Sequence, residues 1–482
     1  MFLRRPDTDA DVPADIRYID VNGTRGEKFE RLAHLQLSDP GWQQARTGWT
    51  DSFVPAGSDT WDQYPAVDDL MPWRANGVLA GRGWVYGPSK DILEERLRDL
   101  VNESDPSVKS TKFGEGRDAS LTKTKTPLFG DDVETDTLTP FNSTVIITDP
   151  KIVRVGYRSF DRQWLIADKR LIIQPSPDLW HARIPGQVFT IELHSEFPKS
   201  GPGLVFTSLI PDVHHFRGSG GGRALPMLHP DGTPNLAAGL VEALRAQFDL
   251  GVAPADVVYY LAAVCSHPGF VERFSADLKT PGVRVPITTN PELWTRAVQL
   301  GRHIVWLHTY GDQGEHPSGK ISVQEGVQPG AAHPVYATSV GNSMPSSVDY
   351  DPESEILRLG EGRWTGVTQE VRDYTVGGAN IIDSWTGYRL ARPKGKRRSP
   401  LDSVNVTTWP AEWSIEFSDL LSVLTQLIDL EPAQQSLLED ILDGEVLTAD
   451  ELATMGVRWP AQTGDKDRQP RKAARGGLLD ES

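Results

Sequence analysis

Apolar and polar positions follow two different periods along this chain, and the switch between them divides it. Residues 143–148 (STVIIT), 151–158 (KIVRVGYR), 170–174 (RLIIQ), 186–194 (GQVFTIELH) and 203–210 (GLVFTSLI) are β-branched or aromatic runs separated by Pro, Gly and Asp, which predicts short strands. After the glycine-rich stretch Gly218–Gly222 the period becomes helical, over 235–248, 254–266, 269–278 and 291–310. Two of these begin with proline at the first helical position, where its missing N–H leaves no bond unmade. Upstream, 16–21 predicts a strand, Asn22-Gly23 a turn and 26–35 a helix, with a second helix over 91–101 behind Pro88-Ser89. A lone β-α step cannot bury both faces, so this part reads as the end of a larger α/β unit. Downstream, the pattern predicts strands at 356–359 and 364–374, and helices over 379–390, 417–428 and 434–442. A last helix follows, whose Thr448 and Glu451 have capping-box spacing. The tail from Gln462 is polar and charged and predicts disorder. The expected class is α+β, divided at 1–105, 106–445 and 446–482.

At 482 residues the chain is long enough for several domains and needs no covalent staple. Its one cysteine, Cys265, excludes an intramolecular disulfide, a Cys-rich zinc site and an iron–sulfur cluster, and fits a reducing cytoplasm. The first twenty residues lack a secretory apolar core. The most apolar stretch, 257–265, is about half of what a bilayer span requires, so no membrane partner is expected. The net charge of −17 argues against indiscriminate coating of phosphate backbones. It is unevenly placed: residues 1–150 carry 17 basic and 26 acidic side chains, residues 151–348 carry 17 and 16, and residues 349–482 carry 15 and 24. The middle is nearly neutral and rich in arginine.

Signatures of catalysis are incomplete. Gly314–Lys320 has the glycine and lysine spacing of a phosphate loop, but Ile321 stands where magnesium needs a hydroxyl. Gly341-Asn342-Ser343-Met344-Pro345 has proline where a nucleophile elbow needs its second glycine. Cys265 and His267 end an apolar helix, where a buried thiol is the ordinary outcome. The Asn/Asp-Pro-Pro-aromatic turn and glycine-rich cofactor loop of DNA amino-methyltransferases do not occur. No catalytic residue, metal or cofactor is expected in this chain.

Tyr157-Arg158-Ser159-Phe160-Asp161-Arg162-Gln163-Trp164 resembles the YRPFDxRW segment of large adenine-modifying restriction–modification enzymes, with Ser159 in place of proline. Four further segments, 210–228 (IPDVHHFRGSGGGRALPML), 257–288, 300–311 (LGRHIVWLHTYG) and 374–389 (YTVGGANIIDSWTGYR), agree in order and spacing. Together they resemble the C-terminal specificity region of the Type ISP, single-polypeptide, restriction–modification family. Segments near 16–33 and 76–93 resemble the end of that family's methyltransferase domain. The resemblance implies a sequence-specific reader of double-stranded DNA, working with a methyltransferase or restriction subunit. It further implies that S-adenosylmethionine belongs to that partner. A truncated adenine methyltransferase whose catalytic half is encoded upstream, and a scaffold protein without DNA, remain alternatives.

Base edges are read by arginines and amides, while other cations and backbone N–H groups hold phosphates. The candidate DNA-binding residues are Tyr157, Arg158, Arg162, His214 and His215; Arg217, Ser219, Gly220 and Arg223 around the glycine loop; Lys123 and Lys125 in the preceding connector; and Lys394, Lys396, Arg397 and Arg398 in a basic run. The competing expectation for the Arg158–Arg162 segment is that arginine–Asp161 pairing and Phe160 packing hold a strand turn. For the glycine loop it is a flexible linker, and for the basic run a solvated surface.

Overall fold

A computed structural model of the chain describes residues 16–45, 60–113, 121–122, 124–128, 137–147, 149–216, 221–280, 282–315, 334–387, 389–391, 406–461 and 466–472. Two antiparallel sheets lie at its centre. One has the order Ala75–Asn76 (β1), Gly222–Pro226 (β7), Phe189–Leu193 (β5) and Leu204–Thr207 (β6). The other has the order Tyr86–Gly87 (β2), Asp161–Ile166 (β4) and Ile152–Arg158 (β3). Both therefore take one edge strand from the 60–113 region. Strands β5, β6 and β7 are buried at every position, Glu192 of β5 and Arg223 of β7 included.

Segment 210–216 stitches the two sheets together. Gly156 donates its N–H to the Ile210 carbonyl at 3.0 Å and accepts from the Asp212 N–H at 2.8 Å. On the other side Val78 donates to Pro211 and accepts from Val213, both at 2.8 Å.

Helices cover the sheets. Pro254–Cys265 (α4) and Pro291–His308 (α5) pack so closely that a Cβ at Gly301 would meet the Tyr259 carbonyl oxygen at 1.7 Å, so only glycine fits there. Leu240–Phe248 (α3) precedes them, and Lys90–Asn102 (α2) starts where Ser89 accepts from the Ile92 N–H. A third antiparallel sheet, Val335–Thr338 (β8), Gly362–Thr365 (β11), Ile356–Leu359 (β10) and Val348–Asp351 (β9), packs with Ile381–Gly387 (α6) and the long helix Ala411–Asp443 (α7). The mixed elements agree with the α+β expectation.

Several expected elements differ. The 417–428 and 434–442 helices are one continuous α7 that runs through Pro432. Leu420, Leu421, Leu424 and Leu427 before the proline, and Leu437, Leu438 and Ile441 after it, are all buried and offset the roughly 3 kcal/mol an interior proline costs. Residues 170–174 form no strand. Arg170 bonds to Asp168 and to the Thr139 carbonyl, closing a turn that buries Leu171 and Ile172, and the run pairs at its end alone, where Gln174 forms an isolated antiparallel bridge with Leu79. Residues 144–147 are likewise irregular, with Ile146 84% exposed. Strand 364–374 is cut to β11, because Thr368 caps a short helix over Gln369–Asp373.

The tail expected to be disordered is anchored over 466–472. Arg468 donates to the Asp68 carbonyl at 2.9 Å and to Asp69 Oδ1 at 2.8 Å. Near the N-terminus, Arg17–Tyr18 pairs with Gln43–Gln44, and the capped helix Arg25–His34 (α1) buries none of its residues.

Candidate nucleic-acid interface

Three of the other segments that carry the family resemblance, 210–228, 300–311 and 374–389, meet the tip of the β3–β4 hairpin. Its turn residues are Ser159 and Phe160, and Phe160 adopts φ 60°, a left-handed conformation unusual for an aromatic residue. Three hydrogen bonds hold the tip. Ser159 donates its N–H and hydroxyl to the His215 carbonyl at 2.7 and 3.0 Å, and the Phe160 carbonyl accepts the Tyr310 hydroxyl at 2.7 Å. The Phe160 ring meets His308 edge-on at 4.9 Å and Tyr374 at 6.5 Å.

Charges around the tip are neutralised internally. Asp161 receives two bonds from Arg389, at 3.0 and 2.6 Å, and the Arg389 guanidinium lies 3.7 Å from the Trp385 ring. Arg158 donates to Asp212 at 2.8 Å and stacks on Tyr157 at 4.0 Å. Asp212 also accepts the Tyr86 hydroxyl, and burial together with that carboxylate holds the Tyr86 phenol well above its usual range. Arg162 lies 3.7 Å over the Tyr310 ring and 3.8 Å from Asp419, whose carboxyl burial pushes up to about 6. Arg154 pairs with Glu416 on α7.

His215 is buried with Nδ1 3.2 Å from the Gly156 carbonyl, and desolvation lowers its pKa to about 4, so it is neutral. His214 is half-buried, its backbone N–H donated to Asp212. The crevice between Arg158, Arg162, Thr207, His215, His308 and Tyr310 has a volume of only about 10 Å³, room for a single water. The motif cluster is thus a packed hub, which agrees with a strand turn held by arginine–Asp161 pairing and Phe160 packing. The pairing arginine, however, is Arg389, from a different segment.

Of the other candidates, Arg223 lies within β7, 7% exposed, and not on a mobile loop. Its Nε donates to Glu192 at 2.6 Å and its Nη1 to Asp68 at 3.0 Å. Burial works against its charge, and the two carboxylates outweigh that effect. Glu192, fully buried, also accepts the Val283 N–H at 2.7 Å. Lys125 is half-exposed on a bridge to Leu138. Lys123, Arg217, Ser219, Gly220, Lys394, Lys396, Arg397 and Arg398 lie outside the described residues.

The residues that sequence reasoning missed surround Arg223. Arg74, Ala75, Asn76 and His194 join it in lining an open cleft of about 340 Å³. Arg74 and Arg468 converge with Arg223 on Asp68. The stretch Trp73–Asn76 has no periodicity, because β1 is two residues long and takes its place in the sheet from β7.

Residues 69–420 match the family model described as the Type ISP C-terminal specificity domain. Three solved structures share the fold. A cryo-EM structure of a DrdV–DNA complex is 16% identical, with TM-score 0.56 over 87% of this chain and 42% of that one. The ATP-dependent Type ISP restriction-modification enzyme LlaBIII bound to DNA is 14% identical, with TM-score 0.57 over 90% and 28%. A nuclease-deletion mutant of the Type ISP enzyme LlaGI in complex with a DNA substrate mimic is 14% identical, with TM-score 0.55 over 86% and 32%. The chain spans less than half the length of each. None of the curated proteins matches it.

Proposed function

This chain belongs to the family of Type ISP C-terminal specificity domains, and from that membership we propose that it is a sequence-specific reader of double-stranded DNA. The family match over 69–420 is the observation that carries the reading. It is supported by the likeness in fold to three proteins whose structures contain DNA or a DNA substrate mimic. A further support is mechanical: segment 210–216 ties the two sheets together, and the Asp161–Arg389 pair fastens the β3–β4 hairpin to the segment after α6, which makes a rigid frame. A reader must hold its contact residues in fixed positions before binding, since ordering them on the DNA would subtract from affinity.

The finer part of the proposal concerns the partner. DNA modification or cleavage directed by this chain is carried out by a methyltransferase or restriction subunit, in the cytoplasm, and S-adenosylmethionine is bound there. The lack of a methyltransferase turn and cofactor loop in this sequence favours that division of labour.

Fluorescence anisotropy on a randomised duplex library, followed by titration of the enriched duplex over a salt series, tests the reading. One enriched consensus, bound with affinity that falls steeply with salt, is expected. Weak binding without sequence preference or salt dependence would refute it. Methyl transfer by the chain alone would refute the division of labour.

A further inference from the structure

We infer that the Arg74–Asn76–His194–Arg223 cleft is a base-reading site that takes an adenine of the bound DNA, with the Asn76 amide facing its N7 and N6 edge. The inference rests on the DNA-reading function proposed above and locates part of its specificity.

Charge balance narrows what this cleft accepts. Arg74, Arg223 and Arg468 are matched by Asp68, Asp69 and Glu192 within ion-pair distance, three cations against three anions. Among the described residues no surplus cation remains there to hold a phosphate. What remains unengaged is neutral hydrogen-bonding capacity. The Asn76 side chain is exposed and bonds to no other described residue, and the buried His194 Nδ1 has no partner among them. Burial and the adjacent Arg223 lower the His194 pKa, so its ring stays uncharged. A ligand edge with an acceptor beside a donor, and no net charge, satisfies such a site. The N7 and N6 edge of adenine has that pattern, and an asparagine amide pairs with it in bidentate fashion, whereas guanine presents two acceptors there.

Asn76 is also held rigidly. Its backbone pairs with Arg223 across β1 and β7. Three residues earlier, Trp73 donates to the buried Asn235 Oδ1 at 2.8 Å and accepts from its Nδ2 at 2.8 Å. Arg74 is fixed by Asp68. The volume of about 340 Å³ accommodates one base.

The test compares wild type, Asn76→Ala and the isosteric Asn76→Asp in selection from the randomised duplex library, with circular dichroism melts to verify folding. Wild type should yield a consensus with one adenine that both variants leave degenerate, with roughly tenfold weaker binding to the wild-type site and an unchanged salt slope. A 7-deazapurine at that position should weaken wild type by a similar factor and leave Asn76→Ala unaffected. If both variants keep the full consensus, or if 7-deaza substitution weakens wild type and Asn76→Ala equally, the base-reading site is wrong while DNA reading stands. If wild type selects no consensus, both fall.

Discussion

Asp161 and Arg389 lie 228 positions apart in the sequence and meet in a two-bond ion pair, with each side chain 1% exposed. The pair joins the β3–β4 hairpin to the segment after α6, with Trp385 and Trp413 on the guanidinium. Removing one member leaves a buried charge, which typically costs about 3–5 kcal/mol, whereas replacing both by apolar groups is far less harmful. Asp161→Ala and Arg389→Met should each lower the urea midpoint, followed by tryptophan fluorescence, and the double variant should be more stable than either single one. A double variant that loses the sum of the two single losses would refute this account.

Phe160 combines a left-handed backbone with a buried ring. Phe160→Ala deletes the contacts with His308 and Tyr374, a change of about 3–5 kcal/mol, and keeps the unfavourable φ. Phe160→Gly deletes the same contacts and relieves the backbone. Glycine is ordinarily the more destabilising replacement, by about 0.5–1 kcal/mol in regular structure. Here the order should reverse, with the glycine variant melting at the higher temperature.

Much of the fold was legible where local pattern and tertiary role coincide. The helices over 91–101, 254–266 and 291–310 were readable from Ser89 and two prolines at their starts, and each forms within two residues of expectation. The glycine loop with Arg217 and Arg223 reads as one basic unit, because sequence proximity carries no information about burial. Arg223 is drawn inward by Glu192, 31 positions away. The apolar 170–174 run reads as a strand, but its burial is achieved inside a turn fastened by Arg170. Asn76 left no trace, since a two-residue edge strand has no period of its own. Arg468 reads as part of a solvated tail until Asp68 and Asp69, some 400 positions earlier, are placed beside it.

Glu431, on α7, faces Glu272 and Tyr374 with no cation opposing them among the described residues, and burial followed by the Glu272 charge raises its pKa from about 4.5 to about 7. The sign follows from proton linkage. Between pH 4.5 and 7 the folded chain keeps a proton that the unfolded chain has released, so this group's contribution is full below about pH 4.5 and is lost as pH rises through 7. Glu431→Gln imitates the protonated acid at every pH. Its melting temperature should match wild type near pH 5 and exceed it at about pH 8. An equal difference at both values would show that the carboxylate does not titrate in this way.

The described arginines at the motif hub and cleft, Arg158, Arg162, Arg223 and Arg389, are each committed to a carboxylate, so their charge is already compensated before DNA arrives. The salt dependence of binding should then come from cations outside these pairs, and the sequence concentrates five of them in residues 392–398. Every phosphate that the protein ceases to neutralise reduces the slope of log affinity against log salt by roughly 0.9. Replacing Lys394, Lys396, Arg397 and Arg398 together by Ala should weaken all duplexes about equally and flatten the slope by up to about 3.6. Arg223→Ala should instead lower thermal stability, by stranding the buried Glu192, and leave the slope of the protein that remains folded unchanged. A large slope change in Arg223→Ala with no loss of stability would place this arginine on the phosphate backbone and overturn its assignment to the sheet interior.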